Sequence, residues 1–430
     1  MEISIIGSGY VGLVTGVGFA HKGHNVVCID SDLEKVRLIN QGNSPFYDEG
    51  LSDVLHVCAK ETGSLKATSD YEEILGSQAT FVCVGTPRNS HRGPDLSFVE
   101  ASVKSIGQVL RNTDGYQCVA IRSTVAPGTT EDLIVPLLEK YSGKKAGKHF
   151  GVVMNPEFLQ EGKALSGFLK PSRIIIGQYD ERSGDVIEEL YRGFGVPVIR
   201  MDIRTAEMTK LASNAFLATK ISFINEIGNL CKKLGVDVYE VARGMGYDSR
   251  IGSEFLKAGI GFGGSCLPKD LEALSFKSEE LGLDAEVLNA VCRTNLAQSG
   301  RIIDLAAAKL GGVEAKRIAV LGLAFKPGVD DVRYSPAIGV VRELIRLKAL
   351  VKVYDPMAMS NAEALLADQV QYGESLSETV EGSDCVLILT EWQEFRHEEL
   401  YRGKVVIDGR RALDPQKARQ VCGHYEGICW

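Results

Sequence analysis

Two stretches of this chain, one at each end, run through the same succession of short apolar strands, and that repetition leaves few folds open. In the first, Ile3–Ile6 reads as a strand and a glycine-rich turn opens a helix near Tyr10–His21; further strands fall at Val26–Ile29, Thr80–Val84, Cys118–Arg122 and Gly151–Met154. In the last third, Arg317–Leu321 followed by Gly322 repeats Ile3–Ile6 followed by Gly7. Likewise Val351–Tyr354 followed by Asp355 repeats Val26–Ile29 followed by Asp30. Cys385–Thr390 matches Thr80–Val84, and Lys404–Ile407 supplies another strand. Strands alternating with helical segments at this spacing predict a parallel sheet wound in both directions, because parallel neighbours need crossovers and the crossover helices cover both faces.

The middle of the chain has a different rhythm. Arg204–Lys233 reads as one long helix with no Gly or Pro before Gly228, its apolar positions including Met208, Leu211, Phe216, Leu217, Ile221, Ile224 and Ile227. Helices are also predicted at Val236–Gly244, Leu271–Leu281 and Ala285–Leu310. The expected fold class is therefore α/β: two Rossmann-like, doubly wound parallel-sheet domains joined by a long central helix and an all-α core, with boundaries at 1–200, 201–312 and 313–430.

Composition narrows the partners. A chain of 430 residues can bury two or three cores. Its net charge of -8 makes neither a nucleic acid nor an anionic membrane a natural partner. Met1–Gly9 runs directly into the first strand, so no secretory leader is expected, and no apolar run approaches the roughly 20 residues of a membrane span. The ten cysteines form no CxxC pair, and HExxH is absent. No metal centre or disulfide framework is expected, and the expected location is cytoplasmic.

Gly7-Ser8-Gly9-Tyr10-Val11-Gly12 is a GxGxxG directly after a strand and opening a helix. In such a turn Gly7 permits the tight bend, Gly9 lets backbone approach a pyrophosphate, and Gly12 allows close helix–strand packing. Asp30 lies 18 residues beyond Gly12 at the end of the second strand, where a carboxylate binds ribose hydroxyls and repels a 2′-phosphate. NAD is therefore the expected cofactor, with Tyr10 and Val11 in the fingerprint. The competing reading of Asp30 is a cap for the helix starting near Leu33. Lys35 reads either as an adenosine contact or as a solvated lysine. The second copy of the pattern lacks the fingerprint: Gly322-Leu323-Ala324-Phe325-Lys326-Pro327 carries a lysine among its turn residues, which suggests a different phosphorylated ligand.

The segment Gly261-Phe262-Gly263-Gly264-Ser265-Cys266-Leu267-Pro268-Lys269-Asp270 precedes a predicted helix. A thiol there faces the positive end of the helix dipole, which favours the thiolate, and Lys269 and Asp270 place an acid–base pair beside it. Spacing alone leaves two readings open: a buried structural cysteine in a glycine turn, or a nucleophile. Cys28, Cys83, Cys118 and Cys385 lie in strands and read as small core residues. A nucleophilic thiol suits oxidation of a primary alcohol past the aldehyde, because the second hydride must leave a tetrahedral adduct.

Taken together, Gly7–Gly12, Val84–Pro87, Ser123–Thr129, Asn155–Gly162, Lys210 to Asn214, Gly261–Asp270 and Gly322–Lys326 resemble the UDP-glucose/GDP-mannose dehydrogenase family in order and over essentially the whole chain. The resemblance implies NAD-dependent oxidation of a nucleotide sugar's primary alcohol to a carboxylate. It assigns Cys266 as nucleophile, Lys210 and Asn214 as the oxyanion-stabilising pair one helical turn apart, Glu157 as general base for thioester hydrolysis and Asp270 as the carboxylate that orients water. Thr124 and Glu161 match residues lining the nicotinamide side, and Thr86, Lys269 and Arg333 match other cofactor contacts. Sugar-nucleotide contacts fall on Phe158, Leu159, Glu161, Phe255, Leu256, Lys257, Gly259, Gly263, Lys326 and Arg410. Arg250 matches an arginine that reaches a partner subunit's site. By resemblance, 1–200 binds NAD, 201–312 dimerises and 313–430 binds the UDP-sugar, in a homodimer or higher homo-oligomer. Read without the family, the long helix is equally an internal core element, Lys210 and Asn214 are solvated, and Glu157 and Glu161 are surface carboxylates.

The segment Arg250–Gly259 resembles the UDP-glucose branch, which makes UDP-glucose the favoured substrate. Glu426–Trp430, the Gly143–Gly147 loop, and Leu267 where that branch has Phe, point instead to GDP-mannose. Two further readings remain. A one-step hydroxyacid-type dehydrogenase accounts for Gly7–Asp30 but leaves the cysteine loop idle. A non-catalytic nucleotide-sugar sensor would have no need of Cys266, Lys210, Glu157 and Asp270.

Overall fold

The computed structural model describes residues 1–88 and 93–430. Its contacts divide the chain into two compact units, Met1–Ser213 and Asn214–Trp430.

The first unit is built on eight strands: β1 (Glu2–Ile6), β2 (Asn25–Ile29), β3 (Leu65–Thr68), β4 (Ala79–Val82), β5 (Gln117–Ile121), β6 (Phe150–Met154), β7 (Ile174–Gln178) and β8 (Val198–Asp202). Their spatial order is β3-β2-β1-β4-β5-β6-β7-β8. The first six follow the Rossmann order, with the switch of winding direction between β1 and β4. Side chains alternate between two cores. Ile3, Ile5, Cys28 and Phe81 enter one; Ile6, Val27, Ile29 and Val82 enter the other. A sheet covered on both faces explains why its strands read as unbroken apolar runs. One pairing departs from the expected all-parallel sheet: β6 and β7 run antiparallel through Met154 and Gly177. The loop and short helix Ala164–Leu169 lie between those two strands.

The second unit repeats the plan with β9 (Arg317–Leu321), β10 (Leu350–Tyr354), β11 (Gln371–Tyr372), β12 (Cys385–Ile388), β13 (Val405–Asp408) and β14 (His424–Gly427), ordered β11-β10-β9-β12-β13-β14. Counted from its own first strand, this is the same Rossmann order, so the repeat seen in the sequence is a repeat of topology. Here too neighbours face opposite ways, Ile318 and Val320 into one core and Ala319 and Leu321 into another.

The central helix spans Ile203–Leu234, starting in the first unit and ending in the second. In the second unit it is followed by helices Val238–Gly246, Leu267–Glu280 and Glu286–Leu310. No described helix is long and apolar enough to cross a membrane.

Candidate active site

The first unit holds the dinucleotide fingerprint at the switch point. Gly7 adopts a left-handed φ of +89°, and a Cβ there would lie 3.0 Å from Val84. A Cβ on Gly12 would lie 1.8 Å from the Gly7 carbonyl oxygen, so only glycine lets the helix Tyr10–His21 start this close to β1. Gly9, the N-cap, faces open space, no side chain caps the helix, and its first turn carries no acid. Free N–H groups at an uncapped helix start beside a bare Cα are what a pyrophosphate requires. The residues present therefore fit NAD.

Asp30 is half-buried and its carboxylate accepts the N–H of Ser8 at 2.6 Å and that of Asp32 at 3.0 Å. It does not cap the helix Leu33–Asn40; Asp32 does, accepting from Glu34 and Lys35. The equivalent Asp355 of the second unit accepts from Leu323, Ala324, Met357 and Ala358 N–H and from the Trp392 indole, and is 1% exposed. That carboxylate is consumed by structure, so the second copy cannot hold a ribose in the same way. Lys35 lies 3.7 Å from Asp32.

Tyr10 departs from a simple cofactor contact. Its hydroxyl donates to Asp48 and accepts the Gly162 N–H, while Asp48 also takes the N–H groups of Ala164 and Leu165 at 2.8 and 3.0 Å. Burial, then the Asp48 hydrogen bond and charge, push the Tyr10 phenol well up, so it stays protonated. This tie locks the fingerprint helix to the loop that carries Glu157 and Glu161. Thr86 donates to the Thr124 carbonyl at 2.8 Å, joining the loops after β4 and β5.

Glu157 and Lys210 form an ion pair at 3.0 Å, with side chains only 6% and 3% exposed. Neither is a surface group, contrary to the reading made without the family. Burial pushes the Glu157 carboxyl up, but Lys210, the Leu159 N–H at 2.5 Å and the charge of Arg122 outweigh it and hold the group below the ordinary carboxylate range. The Phe158 ring lies 5.4 Å from the Lys210 ammonium and 4.0 Å from the Arg173 guanidinium. Sequence reasoning missed the support beneath this pair. Arg122, 5% exposed, donates to Asn155 Oδ1 at 2.7 Å and to the Tyr191 hydroxyl at 3.1 Å. Glu207, fully buried, accepts the Gly128 and Thr130 N–H groups at 2.6 and 2.9 Å and so fixes the Ser123–Thr129 loop. A charged residue ending the apolar run Cys118–Ile121 was the one available signal for Arg122; Asp48 and Glu207 gave none.

The second unit holds the thiol. Cys266 is exposed and is the N-cap of the helix Leu267–Glu280, which begins four residues earlier than the sequence suggested. Pro268 in the first turn is the cause, since a missing N–H costs nothing there. Eight of the other nine cysteines are buried and Cys292 is half-buried. Asp270, 1% exposed, accepts Asn214 Nδ2 at 2.6 Å and Lys269 Nζ at 2.8 Å. Asn214 is likewise buried rather than solvated.

Several expected sugar-nucleotide residues converge in this unit from distant parts of the chain. A Cβ on Gly259 would meet Gly409 and the Arg410 side chain; one on Gly263 would meet Tyr334; and Gly264 packs on the Phe325 ring beside Lys326. The Gly264 N–H donates to the Arg333 carbonyl, and the Arg333 side chain pairs with Asp331 at 2.7 Å. Leu256 is buried, Lys257 is exposed, and Phe255 takes a left-handed φ of +64°. Arg250 stands apart, 87% exposed and paired with Asp248.

A Rossmann sheet with an uncapped glycine turn and a ribose-type carboxylate defines a dinucleotide-dependent oxidoreductase. More particularly, the chain belongs to the UDP-glucose/GDP-mannose dehydrogenase family: residues 1–195 match its NAD binding domain, 204–297 its central domain and 319–415 its UDP binding domain. It is an NAD-dependent nucleotide-sugar dehydrogenase. Among similar proteins, UDP-glucose 6-dehydrogenase YwqF of Bacillus subtilis is 43% identical over 100% of this chain and 97% of its own. GDP-mannose 6-dehydrogenase of Pseudomonas syringae is 36% identical over 100% of both. The solved UDP-glucose dehydrogenase of the hyperthermophilic archaeon Pyrobaculum islandicum superposes with a TM-score of 0.95 at 42% identity, covering 100% of this chain and 98% of the other.

Proposed function

We propose that the chain is a UDP-glucose 6-dehydrogenase that converts the sugar's primary alcohol to the carboxylate of UDP-glucuronate, with Cys266 as covalent nucleophile. The observation that carries this reading is the exposed Cys266 thiol at the start of a helix whose first turn holds the buried Asp270, itself held by Asn214 and Lys269. UDP-glucose is preferred to GDP-mannose because identity to the UDP-glucose enzyme is 43% against 36% for the other, each over the full chain.

In this scheme NAD, when bound on Gly7, Gly9, Gly12 and Asp30, supplies the hydride acceptor. The alcohol loses a hydride from carbon to the first NAD and a proton from oxygen to solvent, giving the aldehyde. The Cys266 thiolate adds to that carbonyl, forming a thiohemiacetal whose C–H then loses a second hydride, to a second NAD that replaces the first, to leave a thioester. Lys210 and Asn214, one turn apart on the central helix, offer a cation and an amide N–H to the oxygen bearing developing charge. Water adds to the thioester with Glu157 taking its proton; the C–S bond breaks, releasing carboxylate and restoring the thiolate. The ion pair with Lys210 suits Glu157 to that task, since it holds the carboxyl ionised while buried. Thr86, Thr124, Glu161, Lys269 and Arg333 complete the cofactor contacts, and Phe158, Leu159, Leu256, Gly259, Gly263, Lys326 and Arg410 the substrate contacts.

The proposal includes a cytoplasmic homodimer or higher homo-oligomer. Exposed Phe216, Phe223 and Leu230 recur every seven residues along the central helix, a stripe suited to a second copy. Counting NADH formed per UDP-glucose consumed tests the function. Two equivalents are expected; one equivalent, or preferred turnover of GDP-mannose, would overturn it.

A further inference from the structure

A cavity of about 860 Å³ lies wholly within the second unit and includes none of the residues assigned above. Its walls come from the end of the central helix at Lys232, the following turn at Asp237, the turn after β13 at Arg411, the short helix Pro415–Val421 at Arg419, together with Arg396 and Trp430. Four of these residues are cations in a chain whose net charge is -8.

The four are not equivalent. Lys232 is spent: it pairs with Glu426 at 2.7 Å and donates to the Gly427 and Trp430 carbonyls. Arg411 is held rigid. Its guanidinium bonds Asp237 at 2.6 Å and lies 4.4 Å from the Tyr239 ring and 5.8 Å from that of Trp430. Its backbone is left-handed at φ +51°, a conformation that a residue with a Cβ keeps only when its surroundings impose it. Buried Asp408 imposes it by gathering the N–H groups of Arg410, Ala412 and Leu413. Arg396 and Arg419 are exposed side chains on the cavity, and no ion pair among the described residues engages either of them. The remaining acid, Asp414, is committed to the Gln416 and Lys417 N–H groups. Burial pushes the Asp237 carboxyl up, but the Arg411 hydrogen bond and charge, the Tyr239 N–H and the charge of Arg419 hold it below the ordinary range. Arg411 and Arg419 thus act on one point of the wall.

We propose that this cavity is a binding site for a small multivalent phosphate, free or as the polyphosphate of a nucleotide, gripped by Arg396 and Arg419 with Arg411 as a pre-set third guanidinium. Guanidinium forks match phosphate oxygens two at a time, and an anion of charge -2 or more balances the uncompensated pair. A monocarboxylate would leave one cation unmatched, and a duplex does not enter a pocket of this size. The turn that carries Arg411 also carries Arg410, so the site adjoins a proposed substrate contact in sequence while its own chemistry does not depend on the dehydrogenase reading.

The test is calorimetric titration of the full-length protein with tripolyphosphate and, separately, with GTP, comparing wild type with the Arg396→Ala/Arg419→Ala double variant and with Arg419→Glu. Both exchanges replace exposed side chains, so melting temperature and NADH turnover are expected to stay unchanged. The wild type is expected to bind at least one of the two probes, weakened about tenfold or more in the double variant and further in Arg419→Glu. Binding of tripolyphosphate alone identifies a free polyphosphate; binding of GTP alone, or more tightly, identifies a nucleotide. No binding by the wild type, or equal affinity in both variants, overturns the proposal, the latter because the anion would then sit at a nucleotide site elsewhere.

Discussion

Replacing Lys210 with Met removes the only charge in its side chain while keeping its length and helix propensity, and so isolates what the buried cation does for Glu157. The two groups lie 3.0 Å apart and are almost fully enclosed. Breaking such a pair from one side costs about 3–5 kcal/mol, because the surviving charge is stranded in a medium that solvates it poorly. The Leu159 N–H and the Arg122 guanidinium still face the carboxylate, which places the expected loss at the lower end, about 3 kcal/mol. In a unit of this size that corresponds to a fall in melting temperature of roughly 6–12 °C.

The loss carries a pH signature of known sign. In the wild type Glu157 is held below its ordinary value. The pair's contribution is therefore complete above the unfolded carboxyl's pKa of about 4.3 and disappears as pH falls through the lower folded value. Without Lys210, burial is opposed less, and the carboxyl rises until the variant can shed the stranded charge by taking up a proton. The gap between wild type and variant is therefore widest near pH 7–8 and narrows on acidification. Adding Glu157→Gln to Lys210→Met removes the stranded charge and is expected to recover more than half of the loss at pH 7. Scanning calorimetry of the wild type, both single variants and the double variant at pH 5 and 7.5 measures all of this. A gap that does not change with pH, or a double variant no more stable than Lys210→Met, would refute the reasoning.

Three other outcomes are expected. Cys266→Ser stops acid formation while NADH affinity, measured by fluorescence, stays within about twofold, because the fingerprint lies on a separate unit; normal glucuronate production would exclude the thiol. Asp30→Ala weakens NAD binding and relaxes rejection of NADP, visible as a reduced ratio of kcat/KM values, and unchanged selectivity would confine Asp30 to its bonds with the Ser8 and Asp32 N–H groups. Gly12→Ala places a methyl 1.8 Å from the Gly7 carbonyl oxygen, with backbone on both sides of the clash. The helix must move, at a cost of about 1–3 kcal/mol. NAD affinity is expected to fall at least tenfold with it, and an unimpaired variant would show that the turn is looser than its glycines imply.

Much of the fold was legible because its signals are local. An apolar run closed by glycine, followed by a helix and a second run closed by aspartate, identified β1, β2, β9 and β10 within a residue or so. Five strands lack such a signal: β11 has only two residues, β3, β8 and β14 mix polar with apolar residues, and β7, though apolar, has no counterpart in the second copy of the pattern. The start of the Cys266 helix was misjudged because its opening residues, Leu-Pro-Lys-Asp, carry no helical periodicity. The site was legible as a set of motifs, and its chemistry was not. Lys210 and Asn214 are polar residues on a long helix, and nothing within a turn of them says they are buried.

What the sequence determined by itself, then, was the alternating pattern that commits each end to a parallel sheet, the glycines that keep Gly9 bare, and the presence of a thiol before a helix. These depend on steric and dipolar effects that reach only a few residues. The tertiary structure alone decided which charges lose their water. Glu157 meets Lys210 across 53 residues and Asp270 meets Asn214 across 56. Asp30 stays half-open where its counterpart Asp355 is consumed. A carboxylate's role is set by its solvation and by the charge beside it, and both are properties of packing between segments that no local stretch of sequence contains.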